Sequence, residues 1–246
     1  MWAVKQLITT SVVLAAALTG AAGAAPLRIA TTDLPPLAVE QSREHPGALV
    51  EVVHELLRRA ELKGKVDFVP WKRALFMAGH FPQTAVFPLT RSPERERDFQ
   101  WLVHLYHERF VFVTDTARAG APDPERLKGR RIAILRGSAQ VKVLREMGYT
   151  RVVETATVAE GLRFVHNGMA DAMFGDQDIT TGVMRRVFPH AEFSFSAPLR
   201  TTTTWLGGSA DIPAADAARL QQTMRTMLED GTYARIMRKY DLATTP

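Results

Sequence analysis

The side chains best placed to do chemistry lie in Pro88–Phe99, PLTRSPERERDF, with Arg95 at its centre. The run follows an apolar Ala85-Val86-Phe87 and turns through Ser92-Pro93. It then packs five charged residues into the seven from Pro93 to Phe99. A strand whose C-terminal end carries Thr, Ser and Pro sets hydroxyls and an Arg fork where open α/β sheets hold ligands. A guanidinium there can clamp a carboxylate through two parallel hydrogen bonds. The chemistry expected is capture of a small anionic or zwitterionic solute. The plainer alternative is that Arg91, Arg95 and Arg97 only solvate a loop.

Other residues offer chemistry with a structural reading beside it. Trp71, following Pro70, either stacks on a ligand or anchors a helix to the core. Asp33 after the first strand could bind an ammonium, but Asp before Leu34-Pro35-Pro36 is also a turn former. His104 and His107 have metal-like spacing on a helix only. His54-Glu55 lacks the second His of a zinc-protease helix, and no phosphate-binding or dinucleotide glycine pattern is present. Ser138 has no base in its own segment and suits a helix N-cap better than a nucleophile.

The elements that must position these groups follow an α/β rhythm. Strands are expected at Leu27–Ala30, Val66–Val69 and Ala85–Leu89. Between them come an amphipathic helix from Gly47 to about Leu62 and a helix carrying Trp71, Ala74, Leu75 and Ala78. An extended run, His107–Thr114, leaves the pattern, and Ala/Gly/Pro/Asp-rich 116–125 reads as a linker. The rhythm then restarts with strand Arg131–Leu135, a helix capped by Ser138 and closed by Gly148, and strand Val152-Val153. A capping box, Thr157-Val-Ala-Glu160, opens the next helix. Strand Ala170–Phe174 ends in polar Gly175-Asp176-Gln-Asp178, and Thr201–Trp205 is extended. Two last helices are expected, Pro213–Leu228 with Leu220, Met224, Met227 and Leu228 inward, and Thr232–Tyr240. Two α/β units joined by one extended connection out and one back predict two lobes with a cleft between them, where small ligands bind.

The chain has 246 residues, 46% hydrophobic and 23% charged, a globular composition. Residues 1–24 read as an export leader: Lys5, an apolar stretch from Leu7 to Ala17, and a small-x-small site at Ala22-Gly23-Ala24. Lys5 is the only charge it contains, so its removal lowers the formal net charge from +5 to +4. There is no cysteine, so no disulfide and no lipid-modified Cys, which suits a freely diffusing periplasmic protein. The Arg residues are scattered among acids with no lysine-rich face, which argues against a nucleic-acid partner. The modest positive balance favours anionic small molecules.

Taken in order, LRIATTDLPPLAVE, GALVEVVHELLRRA, LTRSPERERDFQWLVHLY, LKGRRIAILRGSAQ, ADAMFGDQD and MLEDGTYARIMRKYDL resemble the periplasmic solute-binding proteins of the polar-amino-acid transporter class (type II). The resemblance spans nearly the whole mature chain. It implies a two-lobed α/β fold of the periplasmic-binding-protein type, each lobe a mostly parallel sheet flanked by helices, with a two-strand hinge. Lobe 1 would be 25–112 with 201–246, and lobe 2 would be 113–200. The family pattern T-x-x-x-x-R puts the ligand carboxylate on Thr90 and Arg95. A helix start at Gly137-Ser138-Ala139-Gln140 would offer backbone N–H groups to the same anion, and Asp176 would take an α-ammonium. Two departures stand out: Ala139 replaces a second hydroxyl found in many members, and Pro88 brings no N–H where the backbone meets the ligand.

The resemblance further implies a monomeric receptor that binds an amino acid or related carboxylate and delivers it to an inner-membrane ABC permease. It implies no cofactor and no catalysis. One rival on the same scaffold is a dehydratase of the cyclohexadienyl type, with Glu40 or Asp178 as its acid. Another is a ligand sensor that touches a membrane receptor.

Overall fold

The computed structural model describes residues 26–246, and the leader read over 1–24 lies outside them. Three strands, β1 (Leu27–Thr31), β2 (Gly64–Phe68) and β3 (Thr84–Thr90), pair in parallel in the order β2-β1-β3. Helix α1 (Ala48–Arg59) connects β1 to β2, and α2 (Trp71–His80) connects β2 to β3. Short connections of this kind force a parallel arrangement with helices on the sheet faces. In α1, Leu49, Val50, Val53, Leu56 and Leu57 form the buried face. Full burial of a side chain such as Leu56 contributes roughly 1.5–3 kcal/mol. Gly47 before it has φ +106°, and a Cβ there would stand 2.5 Å from the Leu37 carbonyl oxygen, so no other residue fits without displacing backbone. The helix stops at Arg59, earlier than the sequence pattern suggests, and Glu55 pairs with both Arg58 and Arg59 in its last turn.

Strand β4 (Gln100–Asp115) is the long member of the fold. Sequence reading caught only its second half, because register shifts between Trp101 and Val103 and between His104 and Tyr106 break the alternation. A helix α3 (Thr116–Ala119) follows, capped by the Asp115 carboxylate, inside the segment expected as linker. Three more strands, β5 (Arg131–Leu135), β6 (Arg151–Thr155) and β7 (Ala172–Asp176), make a second parallel set in the order β7-β5-β6. Helices α4 (Gln140–Glu146) and α5 (Val158–His166) connect them. The Thr157 cap forms as expected, its Oγ1 accepting the Glu160 N–H at 3.0 Å, while the Glu160 carboxylate reaches one residue further back and accepts the Ala156 N–H at 2.6 Å. After β7 comes a helix the periodicity did not show, α6 (Gln177–Val187), whose N-cap is Asp176. A short β8 (Phe193–Phe195) pairs with β4.

Strand β9 (Arg200–Gly208) pairs antiparallel with β3 on one side and β4 on the other, which makes one sheet, β2-β1-β3-β9-β4-β7-β5-β6. Two three-stranded parallel sets are therefore joined through the antiparallel pair β4/β9. Phe110 marks the hand-over, pairing with Arg200 of β9 and with Asp176 of β7. The chain closes with α7 (Ala214–Glu229) and α8 (Thr232–Lys239), packed on β4 and α1. Tyr233, fully buried, donates to the Leu105 carbonyl at 2.8 Å. Leu220, Met224 and Met227 point inward as expected, but Leu228 is 40% exposed because it falls past the buried stripe in the last turn. Among the described residues no helix is long and apolar enough to cross a membrane.

Candidate functional site

Arg95 closes a single 3-10 turn, Pro93–Arg95, begun by a proline that gives up no needed N–H. The turn separates the three arginines. Arg91 is held outside by Glu96 at 2.8 and 3.0 Å and lies over the rings of Trp101 and Trp205 at 5.2 and 5.0 Å. Arg97 is exposed. Arg95 turns inward, donating from Nη1 to the Thr90 carbonyl at 3.0 Å and from Nη2 to the Gly137 carbonyl at 2.8 Å. The loop-solvation reading holds for Arg91 and Arg97 and fails for Arg95.

The inward guanidinium lines a cavity of about 50 Å³ between the two parallel sets. Trp71, Pro88, Thr90 and Arg95 reach it from the first, and Ser138 and Asp176 from the second. Most of its remaining wall is apolar, with Phe110, Met173, Phe174 and Ile179 among the lining residues. Trp71 anchors α2 in the core, buried against Ala74, Met77 and Leu89, and it also lines the cavity.

Three expected residues do not line this cavity. Asp33 is paired instead with Arg186 of α6, an ion pair across the two halves, and accepts the Glu40 N–H at 3.2 Å. Ala139 and Gln140 lie behind Ser138, which turns the chain by accepting the Gln140 N–H on its hydroxyl at 3.2 Å. Helix α4 begins at Gln140, one residue later than a Ser138 cap would place it. The acids of the enzymatic alternative are also elsewhere. Glu40 is exposed, and Asp178 accepts from the Tyr106 hydroxyl and from Arg109, lining a neighbouring cleft with Pro35 and Arg185. His104 and His107 stand on β4, with ring centroids 4.8 Å apart. No group of three or more His, Cys, Asp or Glu among the described residues could hold a metal ion.

Sequence reasoning missed Glu108. It sits on β4 beside the hand-over, buried, and lines the cavity. One oxygen, Oε2, accepts from Thr90 Oγ1 at 2.8 Å and from Thr202 Oγ1 at 3.2 Å. The Thr90 hydroxyl is thus committed to Glu108. A lone acid inside the mainly apolar run from Phe110 backward was the available signal, hidden by its charged neighbours in His107-Glu108-Arg109. Asp176 is equally buried. Its Oδ1 accepts the N–H groups of Asp178 and Ile179 at 3.1 and 3.0 Å, and its Oδ2 the Arg109 N–H at 2.9 Å.

Burial, reinforced by the nearby Asp176, pushes the Glu108 carboxyl up to about 8 against the pull of its Thr partners and Arg95. Burial likewise pushes Asp176 up to about 7, with Asp178 adding repulsion and three backbone N–H groups opposing it. Burial works against the charge on Arg95, while Glu108 and Glu94 support it. Within the cavity, the acid that balances Arg95 is therefore Glu108.

This arrangement of two parallel strand sets joined by an antiparallel pair, with charged groups between them, has many solved counterparts. The ligand-binding core of GluR0 from Nostoc punctiforme, solved with L-glutamate, superposes with a TM-score of 0.76 over 87% of this chain and 99% of that one, at 17% identity. A histidine kinase sensor domain with similarity to periplasmic binding proteins gives 0.80 over 87% and 95%, also at 17% identity. ArtJ, the arginine-, lysine-, histidine-binding protein of Geobacillus stearothermophilus, gives 0.78 over 88% and 95% at 13% identity. The fold is that of the periplasmic binding proteins. No family model matches the sequence, and no curated protein does.

Proposed function

We propose that this binding-protein fold captures a small solute bearing a carboxylate and an ammonium group, an amino acid being the simplest, and releases it unchanged. The observation that carries the reading is that Arg95 from one half and Asp176 from the other line the same cavity. Opposite charges on opposite walls favour closure around a guest that carries both. The glutamate held by GluR0 and the basic amino acids named for ArtJ are solutes of this kind. In the full reading the protein is a periplasmic monomer that hands its guest to an inner-membrane ABC permease. The likeness to a kinase sensor domain supports a second reading, in which the closed form touches a receptor instead.

A thermal-shift screen of amino acids, polyamines and organic acids tests the solute class, since a bound solute raises the melting point according to its affinity. A shift with amino acids, absent in Arg95→Ala, is the expected result. A shift that survives Arg95→Ala, or none with any amino acid, refutes the reading. Co-purification from membranes with a permease or with a kinase separates the two partner readings.

A further inference from the structure

With both of its acids ionised, the cavity carries an unbalanced charge. Its lining holds one guanidinium, Arg95, and two carboxyls, Glu108 and Asp176. Once both are ionised, Glu108 offsets Arg95 and Asp176 is left without an internal counter-charge; without a guest, burial favours a proton on the pair over that imbalance. A neutral zwitterion sealed inside adds nothing to that balance, and a buried net charge is costly. A guest with one net positive charge removes the imbalance.

The hydrogen bonding of Glu108 fits the same conclusion. Both Thr hydroxyls are aimed at Oε2, while no protein donor reaches Oε1 among the described residues. In a cavity without other side-chain cations, Oε1 is left for a donor on the guest. Asp176 has used one lone pair of Oδ2 and two of Oδ1 on backbone N–H groups, and an ionised carboxylate offers about four sites.

We propose that Glu108 is a second anionic contact for the guest, so that the site selects net monocations: an amino acid with a basic side chain over its neutral isostere. This rests on the amino-acid reading above and narrows it. With Arg95, Asp176, Tyr106 and the hydroxyls of Thr90 and Thr202 around it, Glu108 gives up any proton it carries when a cation arrives. Cation affinity therefore rises with pH through neutrality, and isostere affinity does not.

Calorimetry on the full chain with lysine against norleucine, and arginine against citrulline, tests the proposal at pH 6.0 and 8.5. The cationic member of at least one pair should bind about ten-fold or more tightly than its isostere, as expected for one charge-assisted contact. Its advantage should widen at the higher pH. Glu108→Gln, which keeps the shape and the Thr contacts, should remove most of that advantage while norleucine or citrulline binds as well or better. Equal binding of the two members of both pairs by the unaltered protein overturns the proposal, whatever the variant does. It leaves the amino-acid reading intact, because a neutral zwitterion has then bound. Failure of all four to bind, with no other amino acid shifting the melting point, overturns both.

Discussion

The Arg95 guanidinium donates to the Gly137 carbonyl at 2.8 Å, from the turn after β3 to the turn after β5. The group expected to hold the guest's carboxylate is thus also a bond between the halves. Gly137 has φ +81°, and a Cβ there would press within 3.3 Å of Leu75 and 3.6 Å of Trp71, so the second half presents bare backbone to Arg95 and Trp71.

Removing Arg95 should act on closure and on binding together. Arg95→Ala is expected to lose the ligand-induced melting shift and to expand the free protein in small-angle scattering. Arg95→Lys should recover little, since one ammonium on a flexible stem does not reproduce a fork bonded to two carbonyls. Each lost charged hydrogen bond is worth about 1.5–3 kcal/mol, hence an affinity loss of roughly ten-fold or more. Unchanged scattering and affinity in Arg95→Ala would show that the bond to Gly137 holds nothing shut.

Gly182 in α6 lies against the first half, where an added Cβ would stand 2.3 Å from the Pro35 carbonyl oxygen. Gly182→Ala is a helix-favouring change of up to about 1 kcal/mol within α6 itself. The expected outcome has two signs: a melting point of the free protein lowered by the loss of its closed contacts despite the helix gain, and an affinity at least about ten-fold weaker because closure is blocked. Calorimetry and thermal unfolding on the same sample check both. Undiminished affinity would mean that the guest is bound without this contact.

The buried acids make stability depend on pH in a definite direction. Glu108 and Asp176 have folded-state values raised to about 8 and 7, above those of the unfolded chain near 4. In that window the folded state binds more protons than the unfolded one, so the free protein loses stability as pH climbs from about 4 to 8. The groups around the pair are Arg95, which opposes the trend, and Asp178, which adds to it. Urea unfolding at pH 5.5 and 8 should show the lower midpoint at pH 8, and Glu108→Gln should flatten the slope. A midpoint that rises with pH, unaltered by Glu108→Gln, would contradict this account of the cavity.

Asp33 and Arg186 are partly exposed, with side-chain exposures of 31% and 42%. Exposed pairs contribute about 0.2–1 kcal/mol and weaken in salt. Asp33→Asn should accordingly reduce affinity only two- to five-fold at low ionic strength, about 1 kcal/mol at most, with the difference fading in 0.5 M salt. A loss of a hundred-fold would return Asp33 to the guest itself.

The parts of this molecule that local chemistry dictates could be read directly from residues. Gly47 before the first helix, the Thr157–Glu160 box and the alternating strands are decided within a few positions. The inward placement of Arg95 was legible because it follows a buried strand at the sheet's C-terminal edge. Glu108 was not, because its burial comes from β7 and β9, strands 64 to 100 residues further along the chain. The bulges in β4 hid the rest of that strand for the same reason, since a shifted register exists only relative to a partner. Helix α6 escaped because Ile179, Thr180 and Val183 are β-branched and disfavour helix locally. The Asp176 cap and packing against the neighbouring half decide its form.

The pairing of β3 with β9 has a consequence for synthesis. Ala85 and Val86 find Gly208 and Gly207, and Leu89 finds Trp205, only once residues more than a hundred positions downstream have emerged. Until then the most apolar strand of the N-terminal set has a bare edge, open to pairing with another chain. A product truncated before Arg200 should therefore accumulate as aggregates rather than as a soluble half-molecule, and nascent chains depend on being kept unfolded until their last fifty residues arrive.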